Sequence, residues 1–130
     1  MVFQDETGFS LHPRLGFGWA QIGRRFRVPT TSQHQRRLNL SGWVAPLLGR
    51  YGITRTERGG REGFLKVLTH LYRRLRVYTI HLFVDRARWH RGEGIEQFLA
   101  THQRLHLEYL PAYQPGLNMQ ERIWRQVRYE

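Results

Sequence analysis

Cysteine is absent from the 130 residues, which excludes disulfides, thiolate zinc sites and thiol nucleophiles and leaves oxygen and imidazole to hold any metal. No run approaches the roughly 18 uninterrupted apolar residues of a membrane span. The amino-terminal Met1-Val-Phe-Gln-Asp5 lacks the basic and apolar regions of a signal peptide. The expectation is a soluble, cytoplasmic protein with no membrane partner. Lysine is nearly missing: Lys66 is the only one among 21 basic residues, and no Gly-x-x-x-x-Gly-Lys-Ser/Thr phosphate loop surrounds it, so nucleotide hydrolysis is not indicated. Acids are scarce as well. Ten Asp+Glu against 21 Lys+Arg leave a net charge of +11, which attracts polyanions and makes nucleic acid the leading partner. Codon bias in a GC-rich genome produces the same arginine skew, but arginine is still shaped for bidentate contact with phosphate.

What remains suits one compact α/β domain spanning residues 1–130, with 40% hydrophobic residues to build its core. Val2 to Ser10 and Phe17 to Ile22 read as two short strands around a turn at Leu11 to Gly16. From Arg37 to Val44, Leu38, Leu40, Gly42 and Val44 alternate with Asn39, Ser41 and Trp43, the period of a strand with one buried face. Tyr51 to Thr56 extends this meander. Beyond Gly59-Gly60, Phe64, Leu68, Leu71 and Leu75 recur at helical spacing. Val77 to Val84 is an almost continuous apolar run, expected of a central strand covered on both faces. Ile95, Phe98, Leu99 and His102 mark a second helix, Leu105 to Leu110 a further strand, and Ile123, Trp124 and Val127 the inner face of a closing helix. A meander extended by βα crossovers, with helices on the sheet faces, is the economical assembly.

The informative acids are few. Asp85 ends the apolar strand, where an unpaired charge costs several kcal/mol or more, so it needs a hydrogen bond, an ion partner or a cation. Strand ends at the carboxyl edge of an α/β sheet are also ligand-binding positions. An Asp opening the turn into the next helix is the bland alternative. Glu121 follows Pro111, Pro115 and Gly116 and stands three residues after Asn118, where a capping box would give it a purely structural role. Asp5 and Glu6 are neighbours, so on a strand they point to opposite faces and only one can join Asp85. Periodicity does not choose between them.

Three segments carry a resemblance: Gln4-Asp5-Glu6-Thr7-Gly8-Phe9, then Asp85-Arg86-Ala87-Arg88-Trp89-His90, then Leu110 through Glu121. They resemble the Asp-Glu-plus-aromatic, Asp-Asn-Ala-x-x-His and Leu-Pro-x-Tyr-x-Pro-x-Leu-Asn-Pro-x-Glu signatures of DDE transposases from the mariner-related bacterial insertion sequences. The third match is the most specific, with Leu110, Pro111, Tyr113, Pro115, Leu117, Asn118 and Glu121 all in place. The departures are Arg86 for the family Asn, Met119 for its Pro and Gly116 where an acid is frequent.

The resemblance implies a ribonuclease-H-like fold with a mixed five-stranded sheet, an antiparallel meander followed by parallel strands. It implies Asp5, Asp85 and Glu121 as catalytic metal ligands for two Mg²⁺ ions, with Mn²⁺ as substitute. It further implies hydrolysis and strand transfer on double-stranded DNA, at transposon ends and target, near the nucleoid. Arg86, Arg88, Trp89, His90, Arg91 and Arg125 are the candidate DNA contacts. Only four residues precede Asp5, so the upstream helix-turn-helix region of such enzymes is expected to be absent, or supplied by a separately encoded partner; a homodimer is the expected assembly. The second functional reading is a remnant that serves only as a DNA-binding or assembly module. His102 and His106 have helical metal-pair spacing, but the interval crosses from helix into strand, so zinc is not expected there.

Overall fold

A computed structural model describes residues 1–10, 17–25, 27, 37–57 and 59–129. Five strands form one sheet in the order β3-β2-β1-β4-β5. These are β1 (Val2–Ser10), β2 (Arg37–Ala45), β3 (Arg50–Thr56), β4 (Ile80–Val84) and β5 (Leu105–Tyr109). Helix α1 (Arg61–Arg74) connects β3 to β4, α2 (Glu93–Thr101) connects β4 to β5, and α3 (Met119–Tyr129) follows β5. β1, β2 and β3 pair antiparallel, whereas β4 joins β1 and β5 joins β4 in parallel. The meander-then-crossover order read from the sequence is therefore the observed one. Gly49 makes the tight reversal from β2 to β3 possible, since its φ of 60° is a left-handed conformation that a Cβ disfavours.

The core lies between the sheet and α1. Phe64, Val67, Leu68 and Leu71 form a helical stripe that meets Val2, Trp43, Ala45, Ile80, Leu82 and Val84, with Ile95 of α2 and Leu105 of β5 closing the cluster. Each fully buried aliphatic or aromatic side chain of this kind contributes about 1.5–3 kcal/mol. The opposite face of the sheet is covered by α3, whose Trp124 is buried. Gly42 is required for that approach. A Cβ there would stand 2.5 Å from Gln120 Nε2 and 2.7 Å from the Trp124 ring.

Several expectations are corrected. Phe17 to Ile22 is not a strand: Phe17, Trp19 and Ile22 stand free in solvent, because the β1 edge that they were expected to pair is taken by β2. The turn expected at 11–16 lies outside the described residues. The alternation of β2 does not choose its buried face; the deep face carries Ser41, Trp43 and Ala45, where α1 packs, and Leu38 is left exposed. β4 begins at Ile80, not Val77, and alternates: Ile80, Leu82 and Val84 face the core, while His81 is exposed. It is flanked by β1 and β5, but only one of its faces is fully covered; β1 is the central strand. Val127 is exposed on α3. His102 caps α2 by bonding the Phe98 carbonyl, while His106 stacks on His81, so the two do not form a pair.

Candidate active site

Parallel pairing of β1 with β4 sets Val2 opposite Leu82 and Phe3 opposite Phe83. Continued by two residues, that register brings Asp5 of β1 beside Asp85, the residue just after β4, on the same face as the stacked Phe3 and Phe83 rings. β1 also pairs with β2, which places Asp5 opposite Gly42, on the side that α3 covers. Glu6 points the other way. The periodicity of the strand thus resolves the Asp5–Glu6 ambiguity once α3 is in place.

Glu121 reaches the same place from the first turn of α3. Pro111 and Pro115 break the chain after β5, and Asn118 starts the helix by accepting the Gln120 N–H on its Oδ1 at 3.1 Å. The Asn118 side-chain amide donates to the Gln4 carbonyl at 2.9 Å, which fastens the helix start to β1 next to Asp5. The Asn118 backbone N–H is bonded to the Pro115 carbonyl, so the arm that a capping box would ask of Glu121 is already filled. Replacing Asn118 by alanine is expected to cost about 2–4 kcal/mol, the lost cap plus a buried Gln4 carbonyl left without its donor. Chemical denaturation checks the stability. Weaker binding of a divalent cation by the folded variant checks that Glu121 depends on this anchor.

The three acids line one cleft of about 400 Å³, together with Arg86, Ala87, Asn118 and the segment Leu110 to Pro115. The Asp5 carboxyl is pushed up to about 7, first by burial, against which the Glu6 backbone N–H pulls, and then by the negative charges of Asp85, Glu121 and Glu6. Asp85 moves the opposite way. A hydrogen bond from His90 lowers its pKa, burial opposes this, and the Ala87 N–H assists at 3.0 Å.

His90 is 2% exposed and therefore does not reach DNA, contrary to expectation. Its Nδ1 stands 2.8 Å from Asp85 Oδ1 and 3.2 Å from the Asp85 carbonyl; both are acceptors, so Nδ1 carries the proton. Its Nε2 is 3.8 Å from Glu6 Oε1, a charge attraction too long for a hydrogen bond. Burial pulls the His90 pKa down, but the bonds to Asp85 and the pull of Glu6 outweigh it and push it up to about 9.

Arg86 turns away from Asp85: its Nε donates to the Leu110 carbonyl at 3.1 Å. Leu110 in turn donates its N–H to Val84, so the loops after β4 and β5 are tied together at the cleft. Arg88, Arg91 and Arg125 are exposed, Trp89 is 38% exposed, and Arg91 lies 4.9 Å over the Tyr109 ring. Sequence reasoning missed the parts played by Glu6, Phe64 and Tyr113. Phe64 packs 4.3 Å from the His90 ring. Tyr113 holds a left-handed φ of 59° at the cleft and leaves its ring in solvent, a backbone cost that a bulky residue bears only where its surroundings impose it.

A mixed sheet with one acid inside β1, one just past the end of the adjacent β4 and one at the start of the closing helix is the ribonuclease-H-like architecture of transposase and integrase catalytic domains. The sequence matches the DDE superfamily endonuclease family over residues 1–130, and the chain belongs to that family. It is 28% identical over 128 residues to the insertion element IS630 uncharacterized 39 kDa protein of Shigella sonnei, covering 96% of this chain and 36% of the relative. Its fold is similar to that of the Mos1 transposase paired-end complex with left transposon end, with a TM-score of 0.67 at 16% identity, over 97% of this chain and 40% of that one. It is also similar to the HTLV-2 integrase catalytic core domain in complex with magnesium, with a TM-score of 0.57 at 8% identity, over 97% and 69% of the two chains. The chain thus spans little more than a third of the curated relative that it matches. Among the described residues, no helix is long and apolar enough to cross a membrane.

Proposed function

We propose that this chain is the metal-dependent catalytic domain of a DNA transposase, with Asp5, Asp85 and Glu121 as the cation ligands. The observation that carries the reading is the convergence of three acids, 80 and 36 positions apart in sequence, on one cleft. Oxygen donors of this type suit Mg²⁺ or Mn²⁺. Asp5 is held above its usual range first by burial and then by the negative charges of Asp85, Glu121 and Glu6, a cost that a divalent cation in the cleft would relieve. Among the described residues, no three acids or imidazoles gather around a single point. Asp5, Asp85 and Glu121, which line the same cleft, are the residues that would hold the cations there.

Two such ions would activate water or a DNA 3′-hydroxyl for in-line attack and stabilise the departing oxygen. The chain's own contribution is placement. β1 and β4 hold two ligands, Asn118 fixes the third, and burial pushes the Asp5 carboxyl up to about 7, so that a cation would favour its ionised form. Arg86, Arg88, Arg91 and Arg125 serve as backbone contacts, with Trp89 and Tyr113 offering exposed rings beside them. Double-stranded DNA at transposon ends and target, in the bacterial cytoplasm and near the nucleoid, is the substrate. The working assembly is a homodimer on paired ends, and end recognition is assigned to a helix-turn-helix region outside residues 1–130.

Nicking of supercoiled DNA in Mn²⁺ or Mg²⁺ tests the proposal. The chain is expected to nick and Asp85→Ala to lose at least about a thousandfold in rate, the scale on which charge stabilisation of a transition state is lost. Equal nicking by both proteins would remove Asp85 from the chemistry. DNA binding without nicking, at any metal concentration, would favour the non-catalytic assembly module.

A further inference from the structure

Asp5 and Glu6 are adjacent acids with opposite destinations. Asp5 enters the cleft, whereas Glu6 crosses to the other side of β1 and faces His90. The imidazole between Glu6 and Asp85 is enclosed: the Phe64 ring packs 4.3 Å away, the Trp89 ring meets it edge-on at 6.0 Å, and the Tyr109 hydroxyl donates to the His90 carbonyl at 3.0 Å. A side chain held this way has one orientation. Its Nδ1–H and the Ala87 N–H converge on the same oxygen, Asp85 Oδ1, at 2.8 and 3.0 Å.

A free aspartate carboxylate turns about a broad, roughly two-fold torsion and offers either oxygen to a cation. Two donors on Oδ1 remove that freedom. Among the described residues no donor meets Oδ2, and the one Nδ1–H is shared between Oδ1 at 2.8 Å and the Asp85 backbone carbonyl at 3.2 Å, which ties the side chain to its own base. Groups that bond a ligand from behind in this way set its direction, and their loss typically costs 10–100-fold in metal affinity.

We propose that Glu6 and His90 form a positioning pair that pins Asp85 by Oδ1 and dedicates Oδ2 to the divalent cation, so that Asp85 binds through a single oxygen. This rests on the reading of Asp85 as a metal ligand and adds two residues to it. It also gives the Asp5-Glu6 dipeptide a division of work: the first acid binds, and the second holds the residue that aims another ligand. His90 is a positioning residue and touches no substrate.

Mn²⁺ titration of the full chain, followed by electron paramagnetic resonance and by the metal-induced rise in melting temperature, separates the possibilities without measuring activity. His90→Leu fills the pocket but removes the Nδ1–H donor, leaving only the Ala87 N–H on Oδ1, and is expected to weaken Mn²⁺ binding about 10–100-fold. His90→Asn returns a donor near the Nδ1 position and is expected to recover affinity to within about fivefold of the parent. Glu6→Gln keeps the shape and removes the charge; a severalfold weakening is expected, with its metal-free circular dichroism spectrum unchanged. Parental Mn²⁺ affinity in His90→Leu would overturn the proposal, as would failure of His90→Asn to improve on it. If His90→Leu does not fold, Glu6→Gln decides, and parental affinity there overturns the pair. Asp85→Ala is the control for the underlying reading. Unaltered Mn²⁺ binding in that variant means that Asp85 is no ligand, an outcome distinct from a failure of the pin alone.

Discussion

Asp5→Asn is expected to abolish metal-dependent DNA cleavage and, in the same molecule, to raise the stability of the metal-free chain at pH 8 by up to about 4 kcal/mol. The Asp5 carboxyl has an ordinary value of 3.8 and is pushed up to about 7 in the fold, so the native state holds a proton that the unfolded state releases across that interval. Below pH 3.8 both states are protonated and Asp5 costs nothing. Between 3.8 and 7 the unfolded state gains from ionising while the native state does not, and stability falls as pH rises. Above 7 both are ionised, and the cost of burying the charge beside Asp85 and Glu121 stands in full.

Asparagine removes that charge, so its advantage grows from nothing near pH 3.5 to its plateau above 7. Urea denaturation in EDTA across this range measures it. Adding Mg²⁺ reverses the order, because the parent gains stability from the cation and the variant does not. An Asp5→Asn chain no more stable than the parent at pH 8, or one equally stabilised by Mg²⁺, would contradict the placement of Asp5 in the acidic cleft.

Phe64→Ala is expected to cost 3–5 kcal/mol, the range for emptying a fully buried aromatic site. Domains of this kind are stable by about 5–15 kcal/mol, so the variant would be marginal at 37 °C. Phe64 is in an unusual position: its ring belongs to the main core and is also the surface against which His90 rests. Phe64→Leu keeps most of the volume and should cost less than about 1.5 kcal/mol. Denaturant midpoints of the two variants distinguish loss of volume from loss of the ring. A loss below 1 kcal/mol in Phe64→Ala would mean that the site collapses around the gap and does not depend on this ring.

Much of the fold was legible because its elements are strongly patterned. The stripe of α1 and the apolar run ending at Asp85 needed no tertiary information. Asp85 and Glu121 stood out because each follows a sharp local signal, a strand exit and a proline-broken loop. Phe17 to Ile22 misled because aromatic content signals a strand only where a partner edge exists, and pairing is not a local property. The buried face of β2 could not be chosen from its alternation for a related reason: Leu38 and Leu40 are more apolar than Ser41, but the helix that selects the deep face packs where Trp43 lies. His90 read as a DNA contact because arginines surround it in sequence; the turn Arg88–His90 folds it inward and leaves its neighbours outside. No periodicity shows such an inversion within three residues.

The parallel pairing of β1 with β4 has a kinetic consequence. During synthesis β1 can pair with β2 as soon as Arg37–Ala45 has emerged, but its other edge waits for a strand some eighty positions later, and Glu121 emerges later still. Closing so long a loop is slow and entropically costly. On the proposed reading, a nascent chain lacks its full set of cation ligands until α3 has left the ribosome, and the cleft is completed in one late step.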